Sequence, residues 1–347
     1  MSHVPGTERA ARVAPAPGEP PAQDQILPLI AEDLDRVEVL FRGSLESPLR
    51  LVRELGSFVS DAGGKRVRPT LHLLCSKLCG YTGPHAVLLA TVLEFIHSAT
   101  LIHDDVIDGA PTRRGRESVN RRWGNAVTVL FGDYLFAKAM ELALRARSLD
   151  VMGRLADVTL RMTEGEMLQT RYAGRLDLTV AEYLDLVERK TAALFSCCCE
   201  LAAVIARTDP ERREALRRYG RNLGMAFQVV DDVLDFTGTA DRLGKPAASD
   251  LREGKATLAV LELLGSPSPL ANEGRDLAQR VVEHRGAEPA DIARLTEILV
   301  ASGAIHRARR TAELYAGAAV RELERFPDGP ARRALAAVPH ALLARDR

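Results

Sequence analysis

The sequence carries no excess of either charge: lysine plus arginine and aspartate plus glutamate each number 47 in 347 residues. Without a net field there is no global attraction to nucleic acid or to an anionic membrane surface, so selectivity must come from local clusters. Cysteine is scarce, at five. An odd count with no apolar leader points to a reducing compartment, the cytoplasm. Cys75, Cys79 and the run Cys197, Cys198 and Cys199 are poorly spaced for a metal and read as small core residues. No apolar run approaches the roughly 20 residues that span a bilayer, which leaves at most surface contact with a membrane. Also missing are an alternating strand pattern of useful length, a glycine-rich nucleotide loop after a strand, and a recognisable serine-hydrolase motif.

What is present has helical period. Leu27, Ile30, Leu34, Val37 and Leu40 share one stripe, and Val87, Leu88, Val92, Leu93, Ile96 and Leu101 form another. Breaks fall at Gly63-Gly64, Gly83-Pro84, Gly109 to Gly115, Gly238 to Gly254 and Ser266 to Pro269. The pattern predicts ten or more helices in one all-α domain over residues 24–347, after an alanine- and proline-rich, disordered tail over residues 1–23.

Two acidic segments stand out, DDVID at Asp104 to Asp108 and DDVLD at Asp231 to Asp235. The first follows an apolar helical stretch, so Asp104 and Asp108 share a face with Asp105 beside them, near a helix C-terminus. Three carboxylates there repel one another and oppose the negative end of the helix dipole, so a cation must compensate. Asp231, Asp232 and Asp235 repeat the spacing. A single such segment reads as a solvated face or a cap, but two in one chain point to metal. Oxygen-only ligands suit a hard ion, and magnesium, which favours phosphate oxygens as co-ligands, is the natural candidate.

Basic groups gather near these segments. Gly63-Gly64-Lys65-Arg66-Val67-Arg68-Pro69 puts three cations at a loop-to-helix junction, where free backbone N–H groups also favour anions. Arg113 and Arg114 follow the first acidic segment in a turn-forming stretch. Lys190-Thr191 sits within a helix, and Lys245 and Lys255 flank Asp250 in a glycine-punctuated loop that reads as a lid. Metal carboxylates among scattered cations suit a reaction in which a diphosphate leaves, because its developing charge must be neutralised.

GGKRVRP, EFIHSATLIHDDVID, the following RRG, GDYLFAKA, KTA, GMAFQVVDDVLDF and GKPAASDLREGKATL occur in the order and approximate spacing of the trans-type isoprenyl diphosphate synthases. From about Leu27 onward the chain resembles that family. The resemblance implies a helical bundle of the isoprenoid synthase type around a central cavity, acting as a homodimer. Asp104, Asp105, Asp108, Asp231 and Asp232, with Asp235 acting less directly, would hold three magnesium ions on an allylic diphosphate. Arg113, Lys190, Lys245 and Lys255 would grip that group. Lys65, Arg66, Arg68, His97 and Arg114 would bind isopentenyl diphosphate, with Thr191 and Gln228 facing the allylic cation. Leu258-Ala259, where the family often has proline after the leucine, is a departure that concerns a helix start.

Ala99 and Thr100, about one turn before Asp104, are small where short-product members typically place an aromatic. A helical turn rises about 5.4 Å, on the order of one isoprene unit. The stop would then come from Ile96, Leu93 or a facing helix with Phe136 and Met140, and the expected product is a medium or long polyprenyl chain with transient membrane contact at release. The alternatives are a farnesyl or geranylgeranyl diphosphate synthase, a class I terpene cyclase, or a noncatalytic subunit of a heteromeric synthase. A cyclase has no use for GGKRVRP, and such subunits tend to lose an aspartate motif that is intact here.

Overall fold

The structure, a computed structural model, describes residues 22–61, 63–109, 112–113, 116–238, 248–284 and 288–344. Sixteen α-helices lie among them. In chain order they are α1 Ala22–Ser44, α2 Arg50–Asp61, α3 Val67–Leu78, α4 His85–Ile107, α5 Val119–Trp123, α6 Asn125–Leu144, α7 Leu149–Tyr172 and α8 Val180–Val187. There follow α9 Ala193–Ala206, α10 Pro210–Thr237, α11 Ser249–Arg252, α12 Leu258–Leu264, α13 Leu270–His284, α14 Pro289–Ala301, α15 Ala304–Glu322 and α16 Pro330–Leu343. The all-helical expectation is met, and α1 starts at Ala22 rather than at Asp24. Nearly all of the segment expected to be disordered lies outside the described residues. The stretch read as a turn after Asp108 contains a small antiparallel pair, β1 Thr112–Arg113 and β2 Arg116–Glu117.

Local chemistry explains the element starts that matter for the site. Asp209 accepts a hydrogen bond at 2.9 Å from the backbone N–H of Arg212, and Pro210 occupies the first turn, so α10 begins there and runs on to Thr237. Thr179 and Glu182 close a reciprocal capping box that starts α8. Thr257 precedes α12, which begins at Leu258 without the proline.

α4 and α10 are the two buried axes. α4 packs on α6, and α10 packs on α9 and α15. One apolar cluster gathers Leu89, Leu93, Phe131 and Leu135, and a larger one gathers Leu74, Tyr219, Val229 and Tyr315. α9 separates them, giving Leu194, Cys197 and Cys198 to the first and Phe195 and Cys199 to the second. The core reading of the cysteines is met: all but half-buried Cys79 are buried, and burial pushes the Cys79 thiol up to about 12. The expectation that no segment reaches membrane-spanning length fails on α4, which is long and apolar enough by composition. Its most apolar window is 78% buried inside the protein, which makes it a core helix.

Between α8 and α9 the backbone forms a π turn over Glu188–Ala192, where the sequence reads as ordinary helix. Two glycines let neighbours close on it. A Cβ at Gly165 of α7 would lie 2.8 Å from the Lys190 nitrogen, and one at Gly224 of α10 would lie 2.6 Å from the Ala192 Cα. The widened turn is thus clasped between α7 and α10, with Lys190 and Thr191 at its centre.

Candidate active site

The first acidic segment ends α4. The Asp108 N–H bonds back to the Asp104 carbonyl at 2.8 Å, and Asp108 caps the helix. Asp104 and Asp108 are half-buried, whereas Asp105 is 1% exposed and faces the core side. Lys255, 147 residues further along the chain, donates to Asp108 Oδ1 at 3.0 Å and to Glu253 Oε2 at 2.7 Å. Burial works against the Lys255 charge, but Asp108 and Glu253 outweigh it and raise its pKa, so the ammonium is secure.

A cleft of about 670 Å³ lies beside this segment, lined by His97, Ser98, Asp105, Arg66, Glu94 and Arg116 among others. Gly63 and Arg66 of the cationic junction line it as well. Lys65 is exposed, and the Arg68 guanidinium sits 5.1 Å over the Phe195 ring. Arg66 lines the cleft and is also held by acidic side chains. It holds a left-handed backbone at φ 47°, donates to Glu94 Oε1 at 2.6 Å and to Glu38 Oε2 at 2.8 Å, and stacks over Phe41. Its planar fork fastens the loop to α1 and α4. Arg116, which no sequence motif singled out, donates to the Asp61 carbonyl at 2.8 Å and ties the hairpin to the end of α2.

The second acidic segment lies along α10 and is mostly buried. Asp231 is exposed, but Asp232 is 5% exposed and Asp235 is fully buried. Tyr183 donates to Asp232 Oδ2 at 2.6 Å, Gln228 Nε2 donates to Asp232 Oδ1 at 2.7 Å, and Thr191 donates to Gln228 Oε1 at 2.8 Å. Burial, then repulsion from Asp250, pushes the Asp232 carboxyl well above the usual carboxylate range, and the hydrogen bonds from Tyr183 and Gln228 work the other way. Asp235 accepts from Ser249 Oγ at 2.7 Å and from the Asp250 N–H at 3.0 Å. These two contacts anchor the return of the loop at the start of α11.

A second cleft of about 750 Å³ opens here, lined by Lys190, Thr191, Gln228, Asp231, Asp250 and Lys255 among others. Lys190 pairs with Glu166 at 2.6 Å. Lys255 lines this cleft beside Asp231 and Asp232 and also bonds Asp108, so one side chain reaches from the second cleft to the first acidic segment. Asp250 and Tyr183 are site residues that the sequence reading gave no role. Asp250 was visible as the acid in GKPAASD, but nothing local marks Tyr183. The side chain of Arg113, together with Arg114 and Lys245, lies outside the described residues.

Among the described residues no three acidic, histidine or cysteine side chains converge tightly enough to enclose a metal by themselves. The donor set nonetheless fits a hard cation that takes its remaining ligands from phosphate and water. It offers carboxylate oxygen, and burial with repulsion from Asp250 raises the Asp232 pKa, a cost that a nearby cation offsets. Ala99 and Ile96 are buried in the cluster that α4 shares with α6, with Phe136 and Met140 partly buried against it. Thr100 is half-buried and donates to the His97 carbonyl at 2.8 Å.

Comparison with known proteins bears on this geometry. The profile of the polyprenyl synthetase family matches residues 50–299. The octaprenyl diphosphate synthase of Escherichia coli (strain K12) is 34% identical over 324 residues, 93% of this chain and 99% of that protein. The all-trans-nonaprenyl-diphosphate synthase (geranyl-diphosphate specific) of Rhodobacter capsulatus is 36% identical over 314 residues, 90% of this chain and 95% of that one. The crystal structure of polyprenyl synthase from Caulobacter crescentus CB15, complexed with calcium and isoprenyl diphosphate, matches with a TM-score of 0.89 at 37% identity, covering 95% of this chain and 100% of that one.

Proposed function

The chain belongs to the polyprenyl synthetase family and is a prenyltransferase, and from that premise we propose that it joins isopentenyl diphosphate to an allylic prenyl diphosphate, giving an all-trans polyprenyl diphosphate of medium or long chain. The observation that supports this reading is Lys255, which lines the cleft of Asp231 and Asp232 and also bonds Asp108, as expected if both acidic segments serve one anion site.

Asp104, Asp105, Asp108, Asp231 and Asp232, joined by Asp250, would hold magnesium, three ions in this proposal. When bound, magnesium neutralises the charge that gathers on the departing diphosphate. Lys190 and Lys255 add fixed positive charge on the same group, and Arg113 and Lys245 are assigned there by resemblance. Lys65, Arg68, His97 and Arg114 bind isopentenyl diphosphate while Arg66 holds their loop. The allylic C–O bond breaks, the isopentenyl double bond attacks the cation, and the new cation loses a proton to the released diphosphate. Oxygen atoms of Thr191 and Gln228 face the positive carbon and lower the barrier electrostatically.

The path for the product runs from Asp104 down α4, past Thr100 and Ala99 toward Ile96, Phe136 and Met140. The homodimer is proposed to form on α6 and α7, where Leu130 (67% exposed) and Met167 (69%) are apolar and solvent-facing. We place the enzyme in the cytoplasm, with membrane contact only as the apolar product leaves. Incubation with farnesyl diphosphate, isopentenyl diphosphate and Mg2+, followed by product chromatography, tests the function. Chains longer than geranylgeranyl are expected. A halt at geranylgeranyl or shorter contradicts the length, and no elongation contradicts the activity.

A further inference from the structure

We propose that Tyr183 is a positioning residue that fixes, through Asp232, the direction of the dipoles that Thr191 and Gln228 turn toward the reacting carbon. This rests on the prenyl-transfer reading of the second cleft.

Tyr183 is buried, and its hydroxyl donates to one oxygen of Asp232 while Gln228 Nε2 donates to the other. An ionised Asp232 only accepts, so the amide of Gln228 then presents its NH2 to Asp232 and its carbonyl oxygen to Thr191. Thr191 answers by donating its single hydroxyl proton to Gln228 Oε1 at 2.8 Å. With that proton directed at Gln228, the remaining Thr191 lone pairs turn toward the cleft that both residues line. Electron-rich oxygen facing the cleft stabilises positive charge on an allylic carbon, whereas a hydroxyl proton there would oppose it.

The backbone explains why this circuit closes. Gln228 and Asp232 are four apart on α10 and share a face. Tyr183 and Thr191 are eight apart, one more than the seven that make two α-helical turns. The π turn at Glu188–Ala192, which contains Thr191, absorbs the extra residue, so Tyr183 and Thr191 meet the same face of α10. The capping box of α8 fixes the start of this segment, and Gly165 and Gly224 clasp its π turn. Tyr183 touches neither reacting carbon nor diphosphate in this account. Its part is to keep Asp232 from rotating and the Gln228 amide from flipping.

The test measures single-turnover condensation by rapid quench, with both KM values, a Mg2+ activation curve and an unfolding midpoint, for Tyr183→Phe, Thr191→Val and the double variant. Tyr183→Phe is expected to slow the chemical step about tenfold, as befits loss of one hydrogen bond to a charged group, with both KM values changed less than about twofold. Added to Thr191→Val it should cause little further loss, because the circuit then has no end to direct. An unchanged rate, a loss additive with Thr191→Val, or an effect seen only as a higher Mg2+ requirement would each overturn the proposal. If Tyr183→Phe does not fold, Thr191→Ser against Thr191→Val serves instead. Ser should keep the rate, and equal rates would sink the orientation assigned to Tyr183. A wild type that makes no polyprenyl product fails the functional reading itself, whatever the variants do.

Discussion

DDVID and DDVLD are alike in sequence and unlike in surroundings. The first closes a helix, so its outer aspartates stand half in solvent, and Asp108 takes Lys255 as a partner. The second lies inside the last two turns of α10 with neighbours on several sides, and only Asp231 is exposed. Its middle aspartate is held by Tyr183 and Gln228, and its last anchors the return of the loop at the start of α11. The same five-residue pattern therefore gives two outward carboxylates at one end of the cavity. At the other end it gives one outward carboxylate, one oriented carboxylate and one structural anchor. What decides each role is the element packed behind the segment.

The largest effect should follow from removing an outward carboxylate. Asp104→Asn is expected to lower kcat by about 10²–10³, the scale for losing one group that stabilises transition-state charge, with an unchanged unfolding curve. Steady-state assay and urea melts check both halves. Next comes the contrast between the last aspartates. Asp235→Ala leaves the Ser249 hydroxyl and the Asp250 N–H without an acceptor, and should destabilise the fold by about 1–3 kcal/mol. Asp108→Ala removes one partly exposed ion pair and should stay within about 1 kcal/mol of wild type. Equal losses in denaturant titrations would erase the distinction.

A smaller effect concerns acid and metal. The folded pKa of Asp232 is raised above its ordinary 3.8, so between these values the native state binds more protons than the unfolded chain. Metal-free stability should then fall as pH rises through that window. Mg2+ should raise the unfolding midpoint more at pH 8 than at pH 5, by a few degrees, and Asp232→Asn should remove the difference. The subtlest outcome is in product length. Ala99 and Ala226 stand five residues before their respective segments, and both are buried. Ala99→Phe should shorten the product by about one or two isoprene units, given one unit per turn of about 5.4 Å. Ala226→Phe should overpack the core and lower stability by about 1–3 kcal/mol without shortening the product. Chromatography of both variants decides.

Much of this was legible in the sequence because catalysis demands particular residue types at short spacing. The carboxylate pairs, the GGKRVRP junction and Lys190-Thr191 are local patterns, Gln228 was singled out only through the family resemblance, and helical period foretold the all-α class. What could not be read depends on long-range packing. Asp235 looks like Asp108 until the chain returns at Ser249 to use its oxygens. Tyr183 meets Asp232 across 49 residues of sequence, and the π turn that aligns it leaves no compositional mark. Arg66 sits among substrate cations, yet Glu38 and Glu94, which claim it, lie on two other helices. α4 reads as a membrane-length segment or as a core helix depending on what surrounds it.

The central claim is that the two segments hold one diphosphate between them. Isothermal titration with an unreactive thiolodiphosphate analogue of the allylic substrate addresses it directly, using wild type, Asp104→Asn and Asp231→Asn with and without Mg2+. The account predicts wild-type binding that requires Mg2+ and a marked loss of that binding in each variant. Binding that ignores Mg2+, or that survives intact in either variant, would contradict it.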